Sequence, residues 1–350
     1  MRTLLMACTS PRCWRTHRRW RIIMMRTTRP LDGVISAIRG AKRIALVCHI
    51  SPDGDTVGSA LALRLGLLEL DKQVALYCQD KIPGVLCFLP GAEGFRMPEE
   101  ADEPFDLLLC VDVSDEKRMG RCNILKEKAA HTAQVDHHGT NTCYCQENAV
   151  DGAAPANCLI IYELLKRLGC TITADVALCL AVGLSTDTGH LVYNSTTPEA
   201  YRVMGELVEA GAPIAEAYRR LYRERPPRQV ALLAKALESL TFHEEGRITS
   251  IRLTQKDFAD CGALGEDAEI IVNYGLDVLG VRMCVFAREQ ADGSVKLSLR
   301  AVAPHKVSGV AQSFGGGGHA QAAGATVLLP LDEAIAQVVA RMKEELELTE

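Results

Sequence analysis

From residue 31 onward, short apolar runs alternate with longer stretches in which apolar residues recur every three or four positions. Residues 43–48, RIALVC, make a run of strand length. Residues 56–70 follow with Val57, Leu61, Leu65 and Leu68 on one helical face. Residues 73–78, 106–112 and 132–135 read as further strands, and 155–168 and 173–184 as helices. This alternation predicts an α/β fold with a parallel sheet covered by helices on both faces. Ligands of such sheets sit beyond the carboxyl ends of the strands. The pattern is helical over 198–211 and 215–240, broken by Pro226 and Pro227. It turns strand-like over 247–253, 280–288 and 295–302. A glycine-rich loop is expected at 315–318, then a strand at 325–329 and a closing helix from Leu331. The domains expected are a catalytic unit over 31–205, a helical connector over 206–243 and a smaller α/β unit over 244–350, with 1–30 outside them.

Composition narrows the class. At 350 residues and 48% hydrophobic, the chain can bury two cores. A net charge of −5 argues against coating long nucleic acid by bulk electrostatics. The fourteen cysteines include no C-x-x-C pair, and Cys48, Cys110, Cys158, Cys179 and Cys284 lie in apolar runs. They read as small buried hydrophobes of a reducing, cytoplasmic compartment. No apolar stretch reaches the roughly 20 residues that span a bilayer. Residues 1–30 carry eight arginines and no acid, which reads as a disordered extension with Met25 as an alternative start.

Four segments concentrate chemistry. His49, Asp53 and Asp55 fall in seven residues, directly after a strand and before a helix, with Gly54 between the two carboxylates. Carboxylate with imidazole suits Mn²⁺ or a similar divalent ion. The same Pro-Asp-Gly-Asp run is also good turn and helix-cap chemistry. Asp112 ends a buried strand, where a carboxylate faces the crevice. Asp136, His137 and His138 follow the strand at 132–135. Adjacent histidines in extended chain point apart, so one can bind metal while the other faces a phosphate. Asp136 can fix the tautomer of a ligand imidazole. Asp187 lies in a hydroxyl-rich loop after an apolar helix.

In order and residue type, these segments resemble the four motifs of the DHH phosphoesterase family. Gly315, Gly316, Gly317, Gly318 and His319, followed by Ala322, Ala323 and Gly324, resemble the signature of the associated DHHA1 domain. The resemblance covers residues 35–345 and implies a mixed sheet in the second unit. It also implies two divalent cations, Mn²⁺ first and Mg²⁺ or Co²⁺ as alternatives. One would be held by His49, Asp53 and Asp112, the other by Asp55, Asp112, His137 and Asp187, with Asp112 shared. His138 would face the scissile phosphate as a catalytic residue, with Asp136 behind the ligands. Arg300, Ser298, His319 and the glycines would grip the substrate. The family has serine after this arginine where the chain has Ala301, and hydroxyl-rich residues where it has Pro155, Ala156, Asn157 and Cys158.

The activity implied is hydrolysis of short RNA or DNA oligonucleotides, or of adenosine 3′,5′-bisphosphate to AMP, by a protein that works off the membrane and can form a homodimer. A phosphodiesterase for cyclic or linear dinucleotides shares both domains. A nucleotide-binding module without turnover would be expected to lack a ligand, whereas all six are present.

Overall fold

The computed structural model describes residues 29–349 and divides into two units, 1–222 and 223–350. In the first, the elements are α1 (Asp32–Gly40), β1 (Arg43–Val47), α2 (Gly54–Glu69), β2 (Gln73–Tyr77), β3 (Phe95–Arg96), β4 (Phe105–Val111), β5 (Ala129–Asp136), β6 (Glu147–Val150), α3 (Asn157–Leu168), α4 (Ala174–Asp187), α5 (Pro198–Glu209) and α6 (Ile214–Tyr218). The six strands are all parallel, in the order β3-β2-β1-β4-β5-β6. β1 therefore lies between strands that leave it in opposite directions, and a crevice opens beyond the carboxyl ends of β1 and β4. Ile44, Ala45, Leu46 and Val47 are all buried, as a strand covered on both faces requires. The α-helices cover one face. On the other lie Met119, Cys122 and Leu125 from a 3₁₀ segment, Glu116–Lys128, whose buried residues recur every third position; the sequence reading did not expect it. The strand β6 and the helix α1 were also missed, since both are short.

The single apolar face expected on α2 is corrected by the packing. Val57 and Leu61 are buried, but Leu68 is 42% exposed, and Gly58, Ser59 and Ala62 are buried instead. α2 lies on the sheet and against α4 at once, so it is covered on two sides until its last turn. Its approach to α4 depends on two glycines. A Cβ at Gly58 would collide with the carbonyl oxygen of Cys179, and one at Gly183 with Cys158 Sγ and, at 2.8 Å, Asp55 Oδ1.

The second unit holds α7 (Pro227–Glu238), β7 (Thr241–His243), β8 (Ile248–Leu253), α8 (Gln255–Cys261), α9 (Ile271–Leu276), β9 (Met283–Glu289), β10 (Val295–Ala301), α10 (Ser308–Ser313), β11 (Gly317–His319), β12 (Ala322–Val327) and α11 (Leu331–Thr349). Its sheet is mixed, ordered β11-β12-β10-β9-β8-β7, with β8 and β9 the parallel pair. The glycine run is not wholly a loop, because Gly317 and Gly318 pair with Gly324 and Ala323 as an edge strand.

Residues 1–28 of the basic extension, Met25 included, lie outside the described residues. Arg29 belongs to the first unit, although it falls inside the 1–30 stretch expected to stand apart. Its guanidinium is 7% exposed and meets Asp151 (2.7 Å), Glu163 (2.7 Å) and Glu199 (2.9 Å). Arg29→Ala leaves three carboxylates facing one another. We expect it to destabilise the protein by about 2 to 3 kcal/mol, at or below the low end for a buried pair because the acids remain partly solvated. Denaturant unfolding of the single variant measures this.

Candidate functional site

The motif after β1 combines the two chemistries its sequence allows. Asp53 is the N-cap of α2, and its Oδ1 accepts from the N–H groups of Asp55 (3.0 Å) and Thr56 (3.1 Å). Its Oδ2 stands 3.4 Å from Nε2 of the buried His49. Asp55, fully buried, turns the other way. The helix α3 has no side-chain cap of its own, and Asp55 takes that place by accepting from the N–H groups of Asn157 and Cys158. A helix N-terminus favours the carboxylate there. The departure from a hydroxyl-rich sequence at 157–158 leaves these backbone donors intact.

Asp112 follows β4 directly and is 2% exposed. Its φ of 61° is left-handed, a strained conformation for a non-glycine residue. Its N–H continues the ladder to Val135 O at 2.9 Å. Its Oδ2 lies 3.6 Å from His49 Nε2 and its Oδ1 lies 3.4 Å from His137 Nε2. His137 Nε2 is also 3.9 Å from Asp55 Oδ2 and 3.4 Å from Asp187 Oδ2, while its Nδ1 faces Ala154 O at 3.2 Å. Asp187 is the last residue of α4 rather than part of a loop after it. Thr186 Oγ1 donates back to Gly183 O, so the hydroxyl run extends the helix instead of ending it. The six side chains thus meet around Asp112.

Asp136 stands behind His138, not behind His137. Its Oδ1 is 2.8 Å from His138 Nδ1 and also accepts the His137 N–H, and its Oδ2 accepts from Asn141 Nδ2. Asn141 is held in turn by reciprocal amide bonds, 3.0 Å each, to the buried Gln134. Sequence reading missed Gln134, Asn141 and Arg118, whose Nη2 is 3.0 Å from His49 Nδ1. An Asn three residues beyond the histidine pair was a usable signal. Arg118 sits in the 3₁₀ segment, which the sequence reading did not recognise.

Charge crowding perturbs the cluster. Burial, then the neighbouring Asp55, pushes Asp112 up to about 7. Burial, then Asp55 and Asp112, pushes Asp187 up to about 9. Burial opposes the charged form of His49, but Asp112 and Asp53 beside it outweigh that and carry it up to about 10. A hydrogen bond to Asp136 raises His138. Asp112 Oδ1 accepts no hydrogen bond although it is buried. The place of Asp112 beside the imidazoles of His49, His137 and His138, among further carboxylates, fits a cation. Three groups of donor atoms each lie within 4.8 Å of one another: His49, Asp53 and Asp112; Asp55, His137 and Asp187; and Asp112, His137 and His138.

In the second unit, register places the residues that the sequence reading expects to grip substrate. Ala322 of β12 pairs with Arg300 on one side and His319 on the other, and Gly324 pairs with Ser298 and Gly317. Residues in one such row face the same side of the sheet. Arg300 and Ser298 are half-buried on that face, while Ala301 is 6% exposed and points into the core. The missing serine at 301 is therefore a core substitution. Gly316 and Gly318 are required by packing, since a Cβ at either would strike β12, whereas nothing lies within 4 Å of a Cβ at Gly317.

Without metal, the folded protein holds protons on Asp112 and Asp187 that the unfolded chain releases near pH 4. His49 likewise keeps its proton above its ordinary range. All three make the folded state bind more protons, so stability falls as pH rises from about 4 to about 10. Thermal melts in a chelator should show this slope. Adding Mn²⁺ should raise the melting temperature most at the alkaline end, and a flat chelator profile would contradict the charge arrangement.

Residues 43–184 match the DHH family, N-terminal domain, and residues 258–348 match the DHHA1 domain. The bifunctional oligoribonuclease and PAP phosphatase NrnA of Thermus thermophilus is 34% identical, over 89% of this chain and 92% of its own. The protein of the same name from Bacillus subtilis is 25% identical over 81% and 89%. An exopolyphosphatase-related protein from Bacteroides fragilis superposes with a TM-score of 0.83 at 26% identity, covering 91% of this chain and 96% of that one. RecJ of Thermus thermophilus, solved with Mn²⁺, shares the fold at a TM-score of 0.52 and 19% identity, over 90% of this chain and 55% of its own. With both domains in order and a 34% identical relative matched nearly end to end, this chain belongs to the DHH family of phosphoesterases.

Proposed function

We propose that the chain hydrolyses short oligoribonucleotides to mononucleotides and converts adenosine 3′,5′-bisphosphate to AMP, using two divalent cations with Mn²⁺ the first candidate. The observation that carries this reading is Asp112, whose two oxygens face two separate groups of donors. His49, Asp53 and Asp112 would hold one ion, and Asp55, Asp112, His137 and Asp187 the other. Such a pair supplies an activated water and neutralises charge on the phosphoryl oxygens. The names carried by the Thermus and Bacillus relatives support the substrate class. Twelve unpaired cysteines among the described residues fit a reducing cytoplasm, and no described helix is long and apolar enough to cross a membrane.

The chain's own residues divide the remaining work. His138 is 39% exposed along its side chain, enough to reach a substrate. Its Nδ1–H is donated to Asp136, which fixes the ring and favours a proton on Nε2 as well. That proton is available to a phosphoryl oxygen or to the departing oxygen. Asn141 and Gln134 keep Asp136 from turning away. In the second unit, the Arg300 guanidinium can take a phosphate through two parallel hydrogen bonds, beside His319 and the open backbone at Gly317.

Turnover of diadenylate and of adenosine 3′,5′-bisphosphate with Mn²⁺ tests the reading, with cyclic diadenylate and a long unstructured RNA as comparisons. The short substrates should turn over fastest. Preference for the cyclic dinucleotide would favour a signalling phosphodiesterase, and equal rates on long RNA would remove the length preference. Asp112→Ala should lower kcat by roughly 10³-fold or more. Near-normal turnover in that variant would make Asp112 structural.

Chemistry and grip should separate kinetically. Arg300→Ala removes a charged hydrogen bond present in ground and transition states alike, so it should raise KM by about tenfold or more and lower kcat less. Asp187→Ala should chiefly lower kcat. A pure kcat defect in Arg300→Ala would assign that residue to the chemistry instead.

A further inference from the structure

Directly after Asp187 the chain makes a strained, closely tied turn. Gly189, His190 and Leu191 have φ of 54°, 59° and 66°, three successive left-handed residues of which two are not glycine. Such runs persist only where surrounding contacts over-determine them, and they cluster at functional sites. Here the contacts are plain. Val192 and Tyr193 both donate their N–H groups to Thr188 O at 3.0 Å, Leu191 donates to Thr188 Oγ1 at 3.0 Å, and His190 donates to Ser185 O at 2.7 Å. Thr188 is fully buried. The Leu191 side chain packs on the core of the first unit, and its carbonyl accepts from Tyr201 Oη at 2.6 Å.

What the turn presents is apolar and open. Val192 is 76% exposed and Tyr193 is 58% exposed. The Tyr193 ring rests against Gly189, where an added Cβ would strike three of its carbons. One side of the ring is thus backed by protein and the rest faces solvent. Gly189 is two residues from Asp187, a span of at most about 7 Å. An exposed aromatic ring backed by Gly189 is therefore carried on the turn that directly follows Asp187, within a few residues of the cluster along the chain.

We propose that Tyr193, flanked by Val192, is a nucleobase platform: the base of the nucleotide whose phosphate lies at the Asp112 cluster stacks on its ring. This rests on the reading that the substrates are nucleotides. Every base offers a π-face, so stacking adds binding without choosing sequence. That suits an enzyme that must accept any short fragment. A ring already fixed by the turn loses little conformational freedom on binding.

The test compares wild type, Tyr193→Ala, Tyr193→Phe and Tyr193→Trp on diadenylate, diuridylate and an abasic ribose dinucleotide, with Mn²⁺ present. In Tyr193→Ala, KM for both base-bearing substrates should rise about tenfold, with kcat changed less than KM. The ratio of kcat/KM for diadenylate over the abasic analogue should fall by the same factor. Tyr193→Phe and Tyr193→Trp should restore both quantities. An unchanged KM in Tyr193→Ala, equal losses on the abasic analogue, or failure of the phenylalanine variant to restore binding would each overturn the platform. Wild-type protein that turns over neither dinucleotide would instead bring down the substrate reading, an outcome visible before any variant is made.

Discussion

Buried carboxylates repel, and the first unit is organised around holding Asp55, Asp112 and Asp187 together with His137 between them. Desolvation and mutual repulsion both raise the pKa values of Asp112 and Asp187. Three of the carboxylates are held in place from behind. Asp55 is held by the amides that open α3, and Asp53 is engaged in capping α2. Asp112 is fixed by a ladder bond to Val135 and by a left-handed backbone. Backbone contacts thus hold these carboxylates in one frame, and the raised pKa values of Asp112 and Asp187 record the crowding there.

Rigidity of that kind has to come from the packing behind the ligands. The parallel sheet delivers His49 and Asp112 from neighbouring strands to one crevice, since β1 and β4 are adjacent and end at the same level. The helices must then approach closely enough to bring Asp55 and Asp187 to the same place. Gly58 and Gly183 permit it, by letting α2 lie against the backbone of α4 and by leaving room for Asp55 beside Cys158. A single methyl group at either glycine would move a carboxylate of the cluster.

The second unit solves a different problem. On the face proposed to bind substrate, β12 places Ala322 between Arg300 and His319, and Gly324 between Ser298 and Gly317, on the flanking strands. Small residues in the middle row leave room for the proposed ligand between the guanidinium and the imidazole. The glycines at 316 and 318 serve the strand pairing itself.

Much of this was legible in the sequence. The apolar runs located β1, β2 and β4 to within a residue or two, and α3 and α4 nearly as well, because buried strands and core helices carry strong periodic signals. His49, Asp53, Asp55, Asp112, His137 and Asp187 could be singled out because each sits where an apolar element ends or begins, and strand ends of one parallel sheet share an edge. What only the tertiary structure decided are relations between segments far apart in the chain. The amides of Asn157 and Cys158 hold Asp55 across a hundred residues, and Arg29 reaches Asp151, Glu163 and Glu199. Asp136 chose His138 over His137, and Asp187 ended a helix rather than starting a loop, because hydrogen bonds from Asn141 and Thr186 settled each choice. Periodicity reports which side of an element is buried. It carries no information about which distant donor meets a given carboxylate, since that depends on the order of strands and the closeness of helices, and those are fixed only when the whole unit packs.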